Sequence, residues 1–483
     1  MKNKQTKQYA IVMLFCTVLM LLVSNCTNNK EMPITTSSDE ALKLFLEGRE
    51  NLELIEFDAA AQLLDQAIAV DEDFALANLY RWRTGVGGAD NSLQYLRKAM
   101  DQVDNISEGE KYLILSYNAQ AKREGVKVKE YLDKLLELFP SDKRVQFLLG
   151  NYYQNFEWNN KKAIDYFKRA KKIDKNYAPV YNSSGYCNIE LGNYEEAEND
   201  FTHQIELIPN HPNPYDSYGD FLLKIGKYDE SIKQFNTAYE KDETYTSAIA
   251  GVGDNYIFKG EYNTAREYYQ KWYDKTASIG EKFAALNQIA ATYVLEDEIE
   301  EALNIYKKYR SLADDNNRFS YVINSYQTEG FILSHTGKTA EGLGRYQLAL
   351  GMAQNADTPE PSKTNSIITA KFQECWAIIL DGNIEEALIK LNELDQITTE
   401  RKMPDDKMWL NWLNGHIEYS KGNFKQAVNY FDKTWPNVVI VKYYTGEAYR
   451  KLGKNDKADE IFDEINNWNV ASLQYARVKQ LMK

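Results

Sequence analysis

The stretches "LGNYEEAENDF" (Leu191–Phe201) and "IGKYDESIKQF" (Ile225–Phe235) write one pattern twice, 34 residues apart. A fixed period of this size constrains the fold more than any other feature of the chain. A unit so short cannot bury its own apolar face, so it has to stack on its neighbours. The pattern is a turn glycine, an aromatic, an acidic pair, a small residue and, four positions later, a large apolar side chain. The small residue recurs as Ala60, Ala163, Ala197, Ser231, Ala265, Ala302, Gly342, Ala387, Ala427 and Ala458. The steps are 34 from 163 to 265 and lie between 31 and 45 beyond. Most of these positions have Gly or Ala twelve residues earlier, among them Gly185, Gly219, Gly253 and Ala290. With only 10 Pro and 25 Gly in 483 residues, the units read as helices.

The phase resembles the tetratricopeptide repeat family, whose unit is a helix–turn–helix. The likeness covers most of the chain and is strongest from Phe147 to Lys275, where Gly219, Leu222, Ser231, Phe235 and Ala238 all fall in register. The implied fold is all-α, a right-handed superhelical α-solenoid of stacked hairpins, with nine to eleven helix pairs expected. Small residues let the two helices approach, the aromatic fills the space under the next repeat, and the turn glycine ends the first helix in left-handed geometry. The expected segments are 41–140 (partly degenerate repeats), 141–275 (regular repeats), 276–465 (longer spacing) and 466–483 (a capping helix).

The chain opens with Lys2, Lys4 and Lys7, followed by a largely apolar run, Tyr9–Val23. That run is short for a membrane span and suits a secretory leader. "VSNC" (Val23–Cys26) resembles the lipobox of bacterial lipoproteins, although Asn25 stands where the family usually has Gly, Ala or Ser. The resemblance implies a leader over 1–25, a lipidated Cys26 at the mature N-terminus, a polar tether over 26–40 and, with Thr27 in place of Asp, the outer membrane. Removing 1–25 takes three lysines and no acid, so the net charge goes from −14 to −17. A body this acidic argues against nucleic-acid partners, since phosphates need Lys and Arg to neutralise them.

No catalytic, metal or cofactor site is expected. The four histidines sit on different repeats without partners at ligand spacing, and the chain has no CxxC or HExxH motif. "SHTGKTAEG" lacks the first glycine of a phosphate loop, because Ile332 stands there, so no nucleotide site is expected either. In the family the first helices line a concave face. Carrying its positions over gives Asn182, Tyr186, Asp216, Asp220 and Asp254, and further along Asn287, Gln327, Phe331, Trp412, His416, Tyr443 and Glu447. The aspartates disfavour a clamp for a peptide's terminal carboxylate and favour a basic or hydroxyl-rich partner. The expected function is a non-enzymatic, lipid-anchored envelope scaffold that binds a protein or peptide partner. The alternatives are a glycan-binding surface lipoprotein and an envelope assembly or regulatory subunit. Starch-utilisation lipoproteins also pair such helices with a lipid anchor, but they carry their sugar site on large insertions that this chain lacks.

Overall fold

A computed structural model describes residues 31–87, 89–122, 124–356, 362–401, 406–435 and 437–483. The leader over 1–25 and Cys26 lie outside the described residues. The described chain is helical throughout and forms two compact units, Met1–Ser217 and Tyr218–Lys483.

The first unit contains α1 (Asp39–Glu53), α2 (Phe57–Val70), α3 (Ala75–Arg83), α4 (Ala89–Asp101), α5 (Glu108–Ala121) and α6 (Gly125–Leu138). It continues with α7 (Lys143–Asn155), α8 (Asn160–Ile173), α9 (Ala178–Glu190) and α10 (Tyr194–Leu207), and the unit boundary then falls inside α11 (Pro212–Lys224). The second unit continues with α12 (Tyr228–Lys241), α13 (Ser247–Phe258), α14 (Tyr262–Lys275), α15 (Ile279–Leu295), α16 (Ile299–Asp315) and α17 (Phe319–His335). Next come α18 (Thr339–Asn355), α19 (Ser362–Leu380), α20 (Ile384–Arg401), α21 (Asp406–Ser420) and α22 (Phe424–Phe431). The last elements are α23 (Val439–Lys451), α24 (Asn455–Asn466) and α25 (Leu473–Leu481).

Among the described residues this makes twelve hairpins and a final helix, more than the nine to eleven expected. The α3–α4 and α5–α6 hairpins are the degenerate repeats expected between residues 75 and 140. Ser92 and Val128 stand where most of the other second helices carry Ala, and Leu96 and Leu132 still follow four residues on, buried.

The hairpin geometry follows from the repeated residues. A Cβ added to Gly185 would meet the ring of Phe201 at 2.6–2.9 Å, so only a bare backbone lets α9 lie on that ring. Phe201 is fully buried beneath it, and burying such a ring stabilises by about 1.5–3 kcal/mol. Gly192 has φ +74°, which reverses the chain between α9 and α10 without a Cβ clash.

The described part of the expected tether is not a free linker. Met32 N–H donates to Asp142 (3.0 Å), and Thr35 donates to Glu110 through N–H (2.7 Å) and Oγ1 (2.5 Å). Thr36 Oγ1 and Ser37 N–H both donate to Asp71. Residues 39 and 40 already belong to α1.

In the second unit the end of the chain turns back over upstream helices instead of only covering the last hairpin. Asn469 donates to the Lys224 carbonyl (3.1 Å) and accepts from Tyr228 Oη (3.2 Å). Tyr475 packs edge-on against Phe258 with ring centroids 5.3 Å apart. Gln480 donates to the Val294 carbonyl at 2.5 Å, and Gln288 donates to the carbonyl of Ala471. Residues 467–483 thus cover parts of α13, α15 and α23.

Candidate functional site

In the first unit the odd-numbered helices bring two arginines and several tyrosines together. Arg144 on α7 reaches Glu53 on α1 with both forks: Nε–Oε1 is 2.6 Å and Nη2–Oε2 is 3.3 Å. Both carboxylate oxygens of Glu53 are therefore taken. Arg83 ends α3 with its guanidinium carbon 4.6 Å from the Tyr80 ring centroid and 4.8 Å from that of Tyr117. Among the described residues no carboxylate pairs with Arg83, and its guanidinium makes no hydrogen bond.

Two cavities share Arg83 in their walls. One, of about 150 Å³, is bounded by Glu53, Tyr80, Arg144, Tyr177, Asn182 and Gln204, among others. The other, of about 610 Å³, is bounded by Trp82, Tyr117, Gln120, Asn151, Tyr152 and Asn155, among others. Burial pushes the Tyr117 hydroxyl up to about 12, so it stays protonated and can donate.

The residues marked in the sequence fall in different places. Asn182 lines the smaller cavity and donates to Ser217 Oγ at 2.7 Å. Tyr186 is half-buried, its ring edge-on to Phe201 at 5.3 Å, so it packs within its own hairpin. Asp216 is half-buried on α11 in the first unit. Asp220 and Asp254 belong to the second unit. Burial pushes the Asp254 carboxyl up to about 7, a hydrogen bond from Tyr269 Oη (2.5 Å) works against that, and the nearby Asp220 charge adds to it. Near neutrality Asp254 is therefore partly protonated, which lessens its repulsion with Asp220. Among the described residues no group of His, Cys, Asp and Glu is arranged to hold a metal ion.

The second unit gathers residues that are far apart in sequence. His335 and His416 both lie against Trp376, with ring centroids 4.6 and 5.4 Å away, and Trp412 stacks edge-on to Trp376 at 5.2 Å. Burial pushes both histidines down to about 3, so they stay neutral. His335 Nδ1 donates to the Phe331 carbonyl at 2.9 Å, while the Nε2 atoms of both rings have no partner among the described residues. Tyr443 packs against Tyr444, and Asn287 accepts from Tyr306 Oη. Cys187 and Cys375 are fully buried, and burial pushes both thiols up to about 12.

Sequence reasoning missed Arg83 and Arg144. Arg83 lies in the stretch without a clear phase, where family positions cannot be projected. The available signal was "YRWRTGVGG", in which arginines and aromatics alternate at a helix end.

The fold defines a class, all-α proteins built from stacked helical hairpins. Residues 178–211, the α9–α10 hairpin and the turn after it, match the family model described as "Tetratricopeptide repeat". Among solved structures it is similar to a tetratricopeptide repeat protein from Parabacteroides merdae ATCC 43184 (15% identity, 54% of this chain and 98% of that one, TM-score 0.39). It is also similar to MamA from Desulfovibrio magneticus RS-1 (15%, 35% and 96%, TM-score 0.31). A third is YrrB, described as "a TPR protein with an unusual peptide-binding site" (23%, 37% and 91%, TM-score 0.28). No curated protein matches the chain.

Proposed function

We propose that this protein is a non-enzymatic scaffold of the bacterial cell envelope, anchored in the outer membrane through lipid on Cys26. It holds a protein or peptide partner on the odd-helix face of its first unit. The observation that carries this reading is that this face has cavities with an arginine that no carboxylate of the described residues pairs with, whereas the matching face of the second unit is partly covered by residues 467–483. Stacked hairpins present such faces for binding rather than for bond-making. The non-enzymatic part is supported by the titratable groups. Histidines held near 3 do not exchange protons at neutral pH, and buried thiols near 12 are not nucleophiles. The hydrogen bonds of residues 32–37 bear on the anchor. Only residues 27–31 lie between Cys26 and Met32, whose N–H donates to Asp142, so Cys26 is at most about 20 Å from Met32. The body would then be held close to the membrane.

The test is affinity capture from detergent-solubilised membranes, with the full chain as bait beside the variant Asn151→Arg/Asn155→Arg. A protein partner retained by the wild type and lost by the variant is expected. Retention of polysaccharide alone would instead support the glycan-binding alternative and overturn this reading. For the anchor, Cys26→Ala should release the protein from the membrane fraction. Unchanged fractionation with an unprocessed mass would mean that the leader remains as the anchor.

A further inference from the structure

We propose that the cavity between α1, α3, α7 and α9 is a binding site for an organic carboxylate, with Arg83 as the residue that pairs with it. This does not depend on the scaffold reading, because the site would take a free small molecule as readily as an acidic side chain.

Two guanidinium groups, Arg83 and Arg144, border the cavity, and Glu53 is the one carboxylate there. Glu53 is spent on Arg144, both oxygens accepting from it. The Glu53 charge also reaches the half-buried Arg83, so among the described residues of this lining two guanidinium groups share one carboxylate and a net positive charge is left over. Enclosing two cations against one counter-charge is costly, and guanidinium keeps its proton under any ordinary condition, so it cannot escape by neutralising. The rings of Tyr80 and Tyr117 offset part of that cost through their π-faces. Ring contacts leave the in-plane N–H groups unused, and those N–H groups match the two oxygens of a carboxylate.

The walls define the rest of the ligand. Ile55, Tyr80, Phe147, Leu148, Tyr177 and Pro179 form an apolar side, which suits an aliphatic or aromatic body rather than a bare ion. Asn182 adds an amide to the polar side. At about 150 Å³ the space is far larger than one water needs.

The experiment is calorimetric titration of the full chain with 3-phenylpropionate, its neutral amide and inorganic phosphate. The acid should bind one to one, with the amide and phosphate each at least tenfold weaker. Arg83→Gln should weaken the acid at least tenfold and leave the amide unchanged. Arg83→Lys, which keeps the charge but loses the fork, should fall between the two. Thermal unfolding of each variant separates a lost site from a lost fold, and the acid–amide comparison on the wild type needs no variant. Equal binding of acid and amide, no binding of the acid, or full binding by a folded Arg83→Gln would each overturn the proposal. Phosphate binding as tightly as the acid would overturn the requirement for an apolar body.

Discussion

In the first unit, α1, α3, α7 and α9 border a cavity in which Arg83 is paired with no carboxylate of the described residues; in the second, residues 467–483 lie across α13, α15 and α23. Both units are made from the same hairpin, with a small residue on the first helix set against a ring on the second, as in Gly185–Phe201 and Gly253–Tyr269. The difference lies in the residues that the repeat leaves variable. Where the odd helices carry arginine and tyrosine, a polar cavity remains. Where they carry Trp376, Trp412, His335 and His416, the rings pack on one another. The repeat dictates stacking, and the variable positions decide whether a face binds something or buries itself.

The largest test of this contrast is truncation of 467–483. It removes the buried Tyr475, Ala476 and Val478 and uncovers Phe258. The expected loss is about 3–6 kcal/mol, confined to the second unit. Hydrogen exchange should show lost protection in α13, α15 and α23 and unchanged protection in α3 and α7.

Acid should also act on the second unit first. His335 and His416 titrate near 3 when folded, against an ordinary value of 6.5. A depressed folded value means that their stabilising contribution is complete above about 6.5 and is lost as the pH falls from there toward 3. His416→Leu should remove about 2–3 kcal/mol of the wild type's loss between pH 7 and pH 4, read by denaturant titration at each pH.

A smaller effect, of the opposite regional sign, comes from Gly185→Ala. The added methyl would clash with Phe201 and cost about 1–3 kcal/mol in the first unit only. Smaller still is Asp254→Asn. The folded value of about 7 lies above the ordinary 3.8, so the carboxyl's stabilising contribution is present below about 4 and lost as the pH rises through 7. The amide can still accept from Tyr269. The variant should therefore match the wild type at pH 4 and exceed it by about 1 kcal/mol at pH 8, after allowance for solvent screening.

The hairpins were legible because close packing forces the same small and large residues at each step, as at Ala197–Phe201 and Ser231–Phe235. The site was much less so. Asn182 was marked by its phase, but Arg83 sits in a hairpin whose Ser92 replaces the usual Ala, and Arg144 matters only because Glu53, 91 residues earlier, lies beside it. His335 and His416 looked unrelated because 81 residues separate them, yet both lie against Trp376. The return of residues 467–483 over α15 is a long-range contact between polar groups such as Gln480 and the Val294 carbonyl. No local periodicity records it.

The central claim is that the first unit's face meets a partner while the second unit's face is covered by the chain itself. Its most direct test is photo-crosslinking in the cell, with a benzophenone amino acid placed in the full chain at Gln120 or at Gln288. Gln120 borders the larger first-unit cavity, and Gln288 donates to Ala471. The account predicts an adduct to another protein from position 120 and, from position 288, an internal crosslink to the 467–483 peptide. An adduct to another protein from position 288, with none from position 120, would contradict it.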